Sequence, residues 1–163
     1  MPVSCYHSPI GTIRISVTES YVSEVHFCNE NEGPDPCINP EWNPLLQECT
    51  EQLIEYFAGH RRIFDLPVHQ EGTTFQQQVW GELNSIPFGK TISYADLARR
   101  LGDPKVIRAA ASTNGKNRVA IIVPCHRVIG SNRDLVGYAG GLWRKKWLLD
   151  HENKWAHGVL TLF

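Results

Sequence analysis

The chain has 163 residues, 42% of them hydrophobic, and sixteen Lys and Arg against seventeen Asp and Glu, for a formal net charge of −1. That length fits one domain or two small ones and allows an ordinary core without disulfide staples. The five cysteines are odd in number and form no CxxC pair, which argues for reduced thiols and against a tetrahedral zinc cage. No charged-then-apolar leader opens the chain, and no apolar run approaches the roughly 18 residues of a membrane span, so a soluble, non-secreted protein is expected.

The near-zero total hides an asymmetry. Residues 1–71 hold three basic side chains (Arg14, Arg61, Arg62) against eleven acidic ones, a net of −8, and residues 72–163 hold thirteen against six, a net of +7. A basic half points to an anionic partner, with nucleic acid as the leading candidate.

Ser8-Pro9-Ile10-Gly11 is turn chemistry before the period-two alternation Thr12–Val17, a half-buried strand, and Tyr21–Phe27 reads as its partner. Residues 31–36 are acidic and Pro-rich, a surface loop. Leu45, Cys49 and Leu53 recur every four residues between Pro44 and Phe57, with Pro44 suited to a first helical position and Gly59 to an end. Ile63–Val68 reads as one more strand. His7, His26, His60 and His69 have no ligand spacing. Paired carboxylates at a catalytic spacing are also missing, so this half is expected to support rather than catalyse.

Gln70-Glu71-Gly72 reads as a linker where the charge changes sign, dividing the chain into 1–71 and 72–163. Thr74–Gln77 has the capping-box pattern, followed by a helical face of Phe75, Val79 and Leu83. Ser93–Asp96 repeats the pattern and opens a short helix burying Leu97, Ala98 and Leu101. Gly102 suits a left-handed cap, Asp103 an N-cap and Pro104 a first position. The next helix carries Val106, Ile107, Ala110 and Ala111 on its apolar side. Two helices with this turn fit a helix-turn-helix. The alanines after Arg108 suit close, sequence-tolerant contact better than base-reading in a major groove; a plain helical hairpin has the same pattern.

Ala120–Val123 is an apolar run stopped by Pro124, and Cys125, His126 and Arg127 follow directly. Two potential cations beside a thiol are the setting that lowers its pKa and makes a nucleophile, although a buried core cysteine is the commoner fate. Adjacency alone does not place the imidazole on the sulfur. The last helix, with Leu142, Trp147, Leu148 and Leu149, presents Arg144, Lys145 and Lys146, and Trp143 and Trp147 are expected to pack. The apolar tail 159–163 reads as a docking strand or a frayed end.

Pro124-Cys125-His126-Arg127-Val128-Ile129, with Asn117 before it and Gly137-Tyr138-Ala139-Gly140-Gly141 after it, resembles the active-site signature of the O6-alkylguanine-DNA alkyltransferases. Phe75–Trp80, Pro87-Phe88-Gly89 and Ile92-Ser93-Tyr94 match in the same order, strongly over 72–152 and weakly before. The resemblance implies an α+β protein: a small N-terminal α/β, ribonuclease H-like domain, then a winged-helix-like DNA-binding domain with a helix-turn-helix. It implies direct-reversal DNA repair without cofactor or metal. One alkyl group would pass from O6-alkylguanine, or O4-alkylthymine, to Cys125 in a single turnover. His126 would take the thiol proton through a water and Glu152 would orient His126, a Cys-His-Glu triad. Tyr94 would donate to N3 of the flipped base, and Asn117 would brace the active-site segment. The backbone of Cys125 and Val128 would bond the base, which Tyr138 and Ala139 would line. Arg108 would fill the space of the extruded nucleotide. Ala109, Ser112, Asn114 and Arg118 would join it on double-stranded DNA in the minor groove.

Ala139 stands where many members have serine, which removes a side-chain hydrogen bond to O6, and Arg118 stands where some have proline. The zinc ligands of some relatives have no full counterpart. Lesion-binding relatives that do not repair lack the cysteine that is Cys125 here. A monomer is expected, free of membranes, cytoplasmic in a prokaryote and nuclear in a eukaryote. The rival readings are a DNA-binding regulator with Cys125 as a redox sensor, and a cysteine hydrolase using Cys125 and His126.

Overall fold

The computed structural model describes residues 2–29 and 42–158; the loop 31–36, Cys37 and the tail 159–163 lie outside them. The chain divides into two compact units, one of residues 1–70 with Arg118–Ile122 and one of Glu71–Asn117 with the residues from Val123 onward.

The first unit is a three-stranded antiparallel meander, β1 (Val3–Ser8), β2 (Gly11–Val17) and β3 (Val22–Phe27), covered by helix α1 (Pro44–Phe57). Ile13, Ile15 and Val17 on one face of β2 are fully buried against Leu53 and Tyr56, also at 0% exposure, each such apolar burial contributing roughly 1.5–3 kcal/mol. Helix α1 starts where the Asn43 side chain accepts from the amides of Leu45 (2.8 Å) and Leu46 (3.2 Å), with Pro44 at its first position. Strand β1 has no counterpart in the sequence reading, because Val3-Ser4-Cys5-Tyr6-His7-Ser8 shows no clean alternation.

Ile63–Val68 is not a strand. Only Val68 bridges to Val22, and Ile63 is 80% exposed. The buried side chain of Gln52 takes both backbone groups of Asp65 (3.0 and 2.9 Å), and Pro67 offers no amide, so no ladder forms there. The segment Arg118–Ile122 pairs with β3 instead, through Val25 N to Arg118 O (2.9 Å) and Ala120 N to Val25 O (3.1 Å). It ends in a γ-turn about Ile121, whose amide neighbour Ile122 donates to Ala120 O at 2.7 Å. Ile121 is β-branched, fully buried and at φ 69°, a strained conformation for such a residue.

The second unit holds α2 (Thr74–Leu83), the two-residue strand β4 (Ile92–Ser93), α3 (Tyr94–Arg100), a 3-10 turn (Pro104–Val106), α4 (Ile107–Gly115), a second 3-10 turn (Cys125–Arg127), β5 (Val128–Ile129) and α5 (Leu142–His157). The first capping box lies one residue earlier than the sequence suggests: Thr73 is the N-cap of α2, bonded reciprocally with Gln76 (3.1 and 3.0 Å). Trp80 joins Val79 and Leu83 on the buried face, its indole N–H reaching Thr113 O at 3.2 Å, and Phe75 is only half-buried. The box at Ser93 and Asp96 is as expected. Gly102 sits at φ 92° and Asp103 caps the 3-10 turn that leads into α4, so α3 and α4 form the helix-turn-helix.

Ile107, expected on the apolar side of α4, is 39% exposed; Ala110, Thr113 and Asn114 face inward. On α5, Trp147 stacks on His151 (4.9 Å, 14°), but Trp143 is 57% exposed with Arg144 over its ring at 4.6 Å. Strands β4 and β5 pair in parallel, Ile92 with Val128 and Ser93 with Ile129. This ladder fixes the exit of the Cys125–Arg127 turn beside the start of α3.

Candidate active site

Cys125 is held at both backbone ends. Pro124, at φ −83° and ψ 63°, turns the chain so that the Cys125 amide donates to Val123 O at 2.8 Å. The Asn117 side chain donates to that same Val123 carbonyl (2.8 Å), and Asn114 Nδ2 donates to Cys125 O (3.3 Å). The turn's three residues, Cys125, His126 and Arg127, are all buried.

Behind the thiol lies a buried charge chain. His126 Nε2 is 2.7 Å from Glu152 Oε2, with the two side chains 0% and 1% exposed. Arg127 grips the same carboxylate through Nε to Oε1 (2.8 Å) and Nη2 to Oε2 (3.1 Å), and Nη1 donates to Ile86 O (2.6 Å). The Gly89 amide adds a bond to Oε1 at 3.2 Å. Gly89 must be glycine: its φ is 80°, and a Cβ would come within 2.5 Å of Ala156 Cβ. Burial would raise the Glu152 pKa, but His126 and Arg127 hold the carboxyl well below the usual range. Being ionised, it only accepts, so Nε2 of His126 must carry its proton. Nδ1, buried and without a hydrogen-bond partner, is left with its lone pair. Burial keeps the imidazole pKa below its ordinary value despite Glu152, so the ring is a neutral base.

Contrary to the expectation from the sequence, His126 and Arg127 do not depress the thiol pKa. His126 is neutral, Arg127 is committed to Glu152, and burial of Cys125, 7% exposed, pushes the thiol up on balance. The groups that pull it back are a hydrogen bond from Asn117 and the charge of Lys145. Lys145 itself is fully buried, contrary to a surface position on α5; its Nζ donates to Val128 O at 2.7 Å. Tyr94 donates its hydroxyl to Val136 O (3.0 Å), and burial raises its pKa, so it remains a donor at neutral pH. Burial likewise keeps the Tyr138 phenol protonated. Val128 is buried and Ala139 exposed.

On α4, Arg108, Ala109 and Ser112 are exposed together. Asn114, placed with them by the sequence reading, is 5% exposed and turned toward Cys125. Arg118 is exposed, and it belongs to the segment of the first unit, where its amide donates to Gln70 Oε1 at 2.8 Å. Sequence reasoning missed Arg127 and Lys145 as site residues. The signal for Lys145 was present: Lys145, Leu148, Leu149 and Glu152 share one helical face. Among the described residues no cluster of His, Cys, Asp or Glu is placed to hold a metal ion, and no helix is long and apolar enough to cross a membrane.

The family described as 6-O-methylguanine DNA methyltransferase matches through both of its parts, the ribonuclease-like domain over residues 1–70 and the DNA binding domain over 74–154. The chain belongs to this family. It is 42% identical over 155 residues to the methylated-DNA–protein-cysteine methyltransferase of Methanosarcina acetivorans, covering 93% of this chain and 98% of that one. The crystal structure of the Mycobacterium tuberculosis O6-methylguanine methyltransferase superposes with a TM-score of 0.83 at 37% identity, over 94% of this chain and 93% of that one. The structure from the same organism in complex with DNA gives a TM-score of 0.83 at 38% identity over the same shares. The resemblance carried by the Pro-Cys-His-Arg motif and the two-domain α+β expectation are thus borne out. Membership of the alkyltransferases also disposes of the regulator and hydrolase readings as descriptions of the family.

Proposed function

We propose that this protein restores O6-alkylguanine, and O4-alkylthymine, in double-stranded DNA by moving the alkyl group irreversibly onto Cys125. The observation that carries the reading is the buried Arg127–Glu152–His126 chain, which leaves one basic nitrogen, Nδ1, without a hydrogen-bond partner on the residue that follows the cysteine. His126 takes the thiol proton through a water. The thiolate attacks the alkyl carbon in line, the S–C bond forms as the C–O6 bond breaks, and the electron pair stays on guanine. Tyr94 leaves Val136 O and donates to N3 of the flipped base, offsetting that charge. Val128 and Tyr138 wall the base, and Ala139 contributes only its backbone. Asn117 braces Val123, and Asn114 serves from inside by holding the Cys125 carbonyl rather than by touching DNA. A thioether does not hydrolyse, so each molecule acts once.

The exposed Arg108, Ala109 and Ser112 suit a helix laid closely in the minor groove, with Arg108 in the stack and Arg118 on the backbone. Residues 1–71 serve as a supporting domain and 72–163 as the DNA-binding acceptor domain. The protein works as a monomer in the compartment that holds the DNA, the cytoplasm of a prokaryote or the nucleus of a eukaryote. The test is intact mass after mixing with an oligonucleotide carrying O6-methylguanine. One methyl on the peptide containing Cys125, with no further turnover, is expected; an unchanged protein mass with repeated product release would indicate a hydrolase.

Arg108 separates finding the lesion from the chemistry. Extruding a paired base costs roughly a few kcal/mol, which an inserted arginine offsets. Arg108→Ala is expected to slow repair of duplex DNA by about one to three powers of ten, each ~1.4 kcal/mol being tenfold. Reaction with the free base O6-benzylguanine, which needs no flipping, should stay near wild type. Equal slowing of both substrates would make Arg108 a pocket residue instead.

A further inference from the structure

Lys145 is fully buried, and among the described residues no carboxylate pairs with it. Its ammonium donates to three carbonyls, those of Val128 (2.7 Å), Val136 (3.2 Å) and Gly137 (3.2 Å), and stands 5.9 Å from the centre of the Tyr94 ring. The neighbouring charges are matched to one another: Arg127 and Glu152 form a bidentate pair, and His126 is neutral. Lys145 therefore adds one positive charge to a buried site that otherwise sums to zero. Carbonyl dipoles offset only part of the cost of burying an ion, and the remainder calls for a counter-charge. The group that can supply one is the sulfur of Cys125, whose charge and that of Lys145 act on each other directly.

We infer that Lys145 is the counterion of the Cys125 thiolate, and that alkylation, by making the sulfur neutral, strands this ammonium in the interior. Lys145 touches no reacting atom. It acts through the charge state of the sulfur. The inference rests on Cys125 being the acceptor and explains how a buried thiolate, once His126 has taken the proton, is held where the neutral His126 and the paired Arg127 supply no counter-charge. During transfer the ammonium keeps its protons; afterwards it loses one to solvent more readily than before.

Burial brings the Lys145 pKa down, the sulfur charge raises it part of the way back, and the balance of the two is about 8. Other groups face the pair from the packed elements: Tyr94 from α3, Tyr138 from the segment before α5, His126 and Arg127 from the turn, and Arg144 and Glu152 from α5. Both phenols are pushed up, Glu152 is held down and His126 stays neutral. Lys145 is thus the member of this set brought down to about 8, while burial pushes the Cys125 thiol up and the lysine's charge pulls it back.

The test uses no DNA: the rate of iodoacetamide capping at the Cys125 peptide, followed by mass from about pH 6 to 10, reports thiolate fraction. Lys145→Gln keeps a donor for the carbonyls and drops the charge. Its midpoint is expected to move alkaline by about one unit, with capping about tenfold slower at neutral pH, while Lys145→Arg stays within about twofold of wild type. A Lys145→Gln profile superimposed on wild type, or an equal shift in Lys145→Arg, would overturn the inference and leave Lys145 a clamp on the 136–137 loop. A wild-type arm avoids any folding defect: the Nζ resonance of Lys145 should titrate at lower pH once Cys125 is capped, and an unmoved titration would also overturn it. None of these measurements depends on methyl transfer from guanine, so failure here is distinguishable from failure of the repair reading.

Discussion

Cys125→Ser is expected to abolish methyl acceptance from O6-methylguanine DNA, a loss of about four powers of ten or more, as when a nucleophile acting in a unit is removed. A hydroxyl is a much weaker acid than a thiol. The forces acting on position 125 are sized for a thiol: one hydrogen bond from Asn117 and one ammonium at Lys145, working against burial. They can make a useful fraction of thiolate but not an alkoxide, and the neutral His126 is too weak a base to generate one. The fold should survive, because serine keeps a polar group within reach of Asn117, and backbone bonds from Cys125 N to Val123 O and from Asn114 to Cys125 O do not involve the side chain. Unfolding in urea should therefore change little while mass spectrometry shows no adduct. Transfer persisting in the variant, or appearing on Cys5, Cys28, Cys37 or Cys49, would refute the assignment of the acceptor.

What the sequence made legible were features set by local chemistry. Pro44 and Gly59 bound α1, and the box at Ser93 and Asp96 starts α3. The Gly102-Asp103-Pro104 turn joins α3 to α4 because each residue satisfies a backbone need that few others meet. The cysteine was legible for a different reason, the rarity of a thiol, an imidazole and a guanidinium in succession. What was not legible depended on partners distant in the chain. His126 and Arg127 look like positive charges that lower the neighbouring thiol, but Glu152, twenty-five residues beyond Arg127, holds both and leaves His126 a neutral base. Lys145 looks like part of an exposed basic run until its place on the buried face of α5 is known. Ile63–Val68 has strand-like composition, and a buried glutamine from α1 takes its hydrogen bonds. Each miss has the same physical origin: a buried polar group is satisfied by whatever the tertiary structure brings to it, and periodicity carries no record of that partner.

Glu152→Gln is expected to cost about 3–5 kcal/mol of stability at pH 7, the usual penalty for breaking a buried pair by removing one member. Arg127, with its side chain 7% exposed, would keep its charge and lose its counterion. The glutamine amide keeps one accepting oxygen, good for two bonds at most, where the carboxylate now takes four, from His126, Arg127 twice and Gly89. The pH dependence has a definite sign. The Glu152 pKa is depressed in the fold, so its contribution is complete above the ordinary carboxylate value of about 4.3 and is lost as pH falls through the folded value below it. The stability gap between wild type and Glu152→Gln should thus be widest at neutral pH and narrow in acid, which urea melts at about pH 7 and pH 3 would reveal. A gap that widened in acid would mean that the carboxyl is protonated in the fold. Activity should fall further than stability explains, by about two to four powers of ten, because an amide opposite Nε2 can also donate and so admit the wrong imidazole tautomer. That tautomer protonates Nδ1, the nitrogen needed to take the thiol proton. Raising the pH should restore part of the rate in the variant, as hydroxide replaces His126 in making the thiolate, whereas a variant that was merely misfolded would gain nothing.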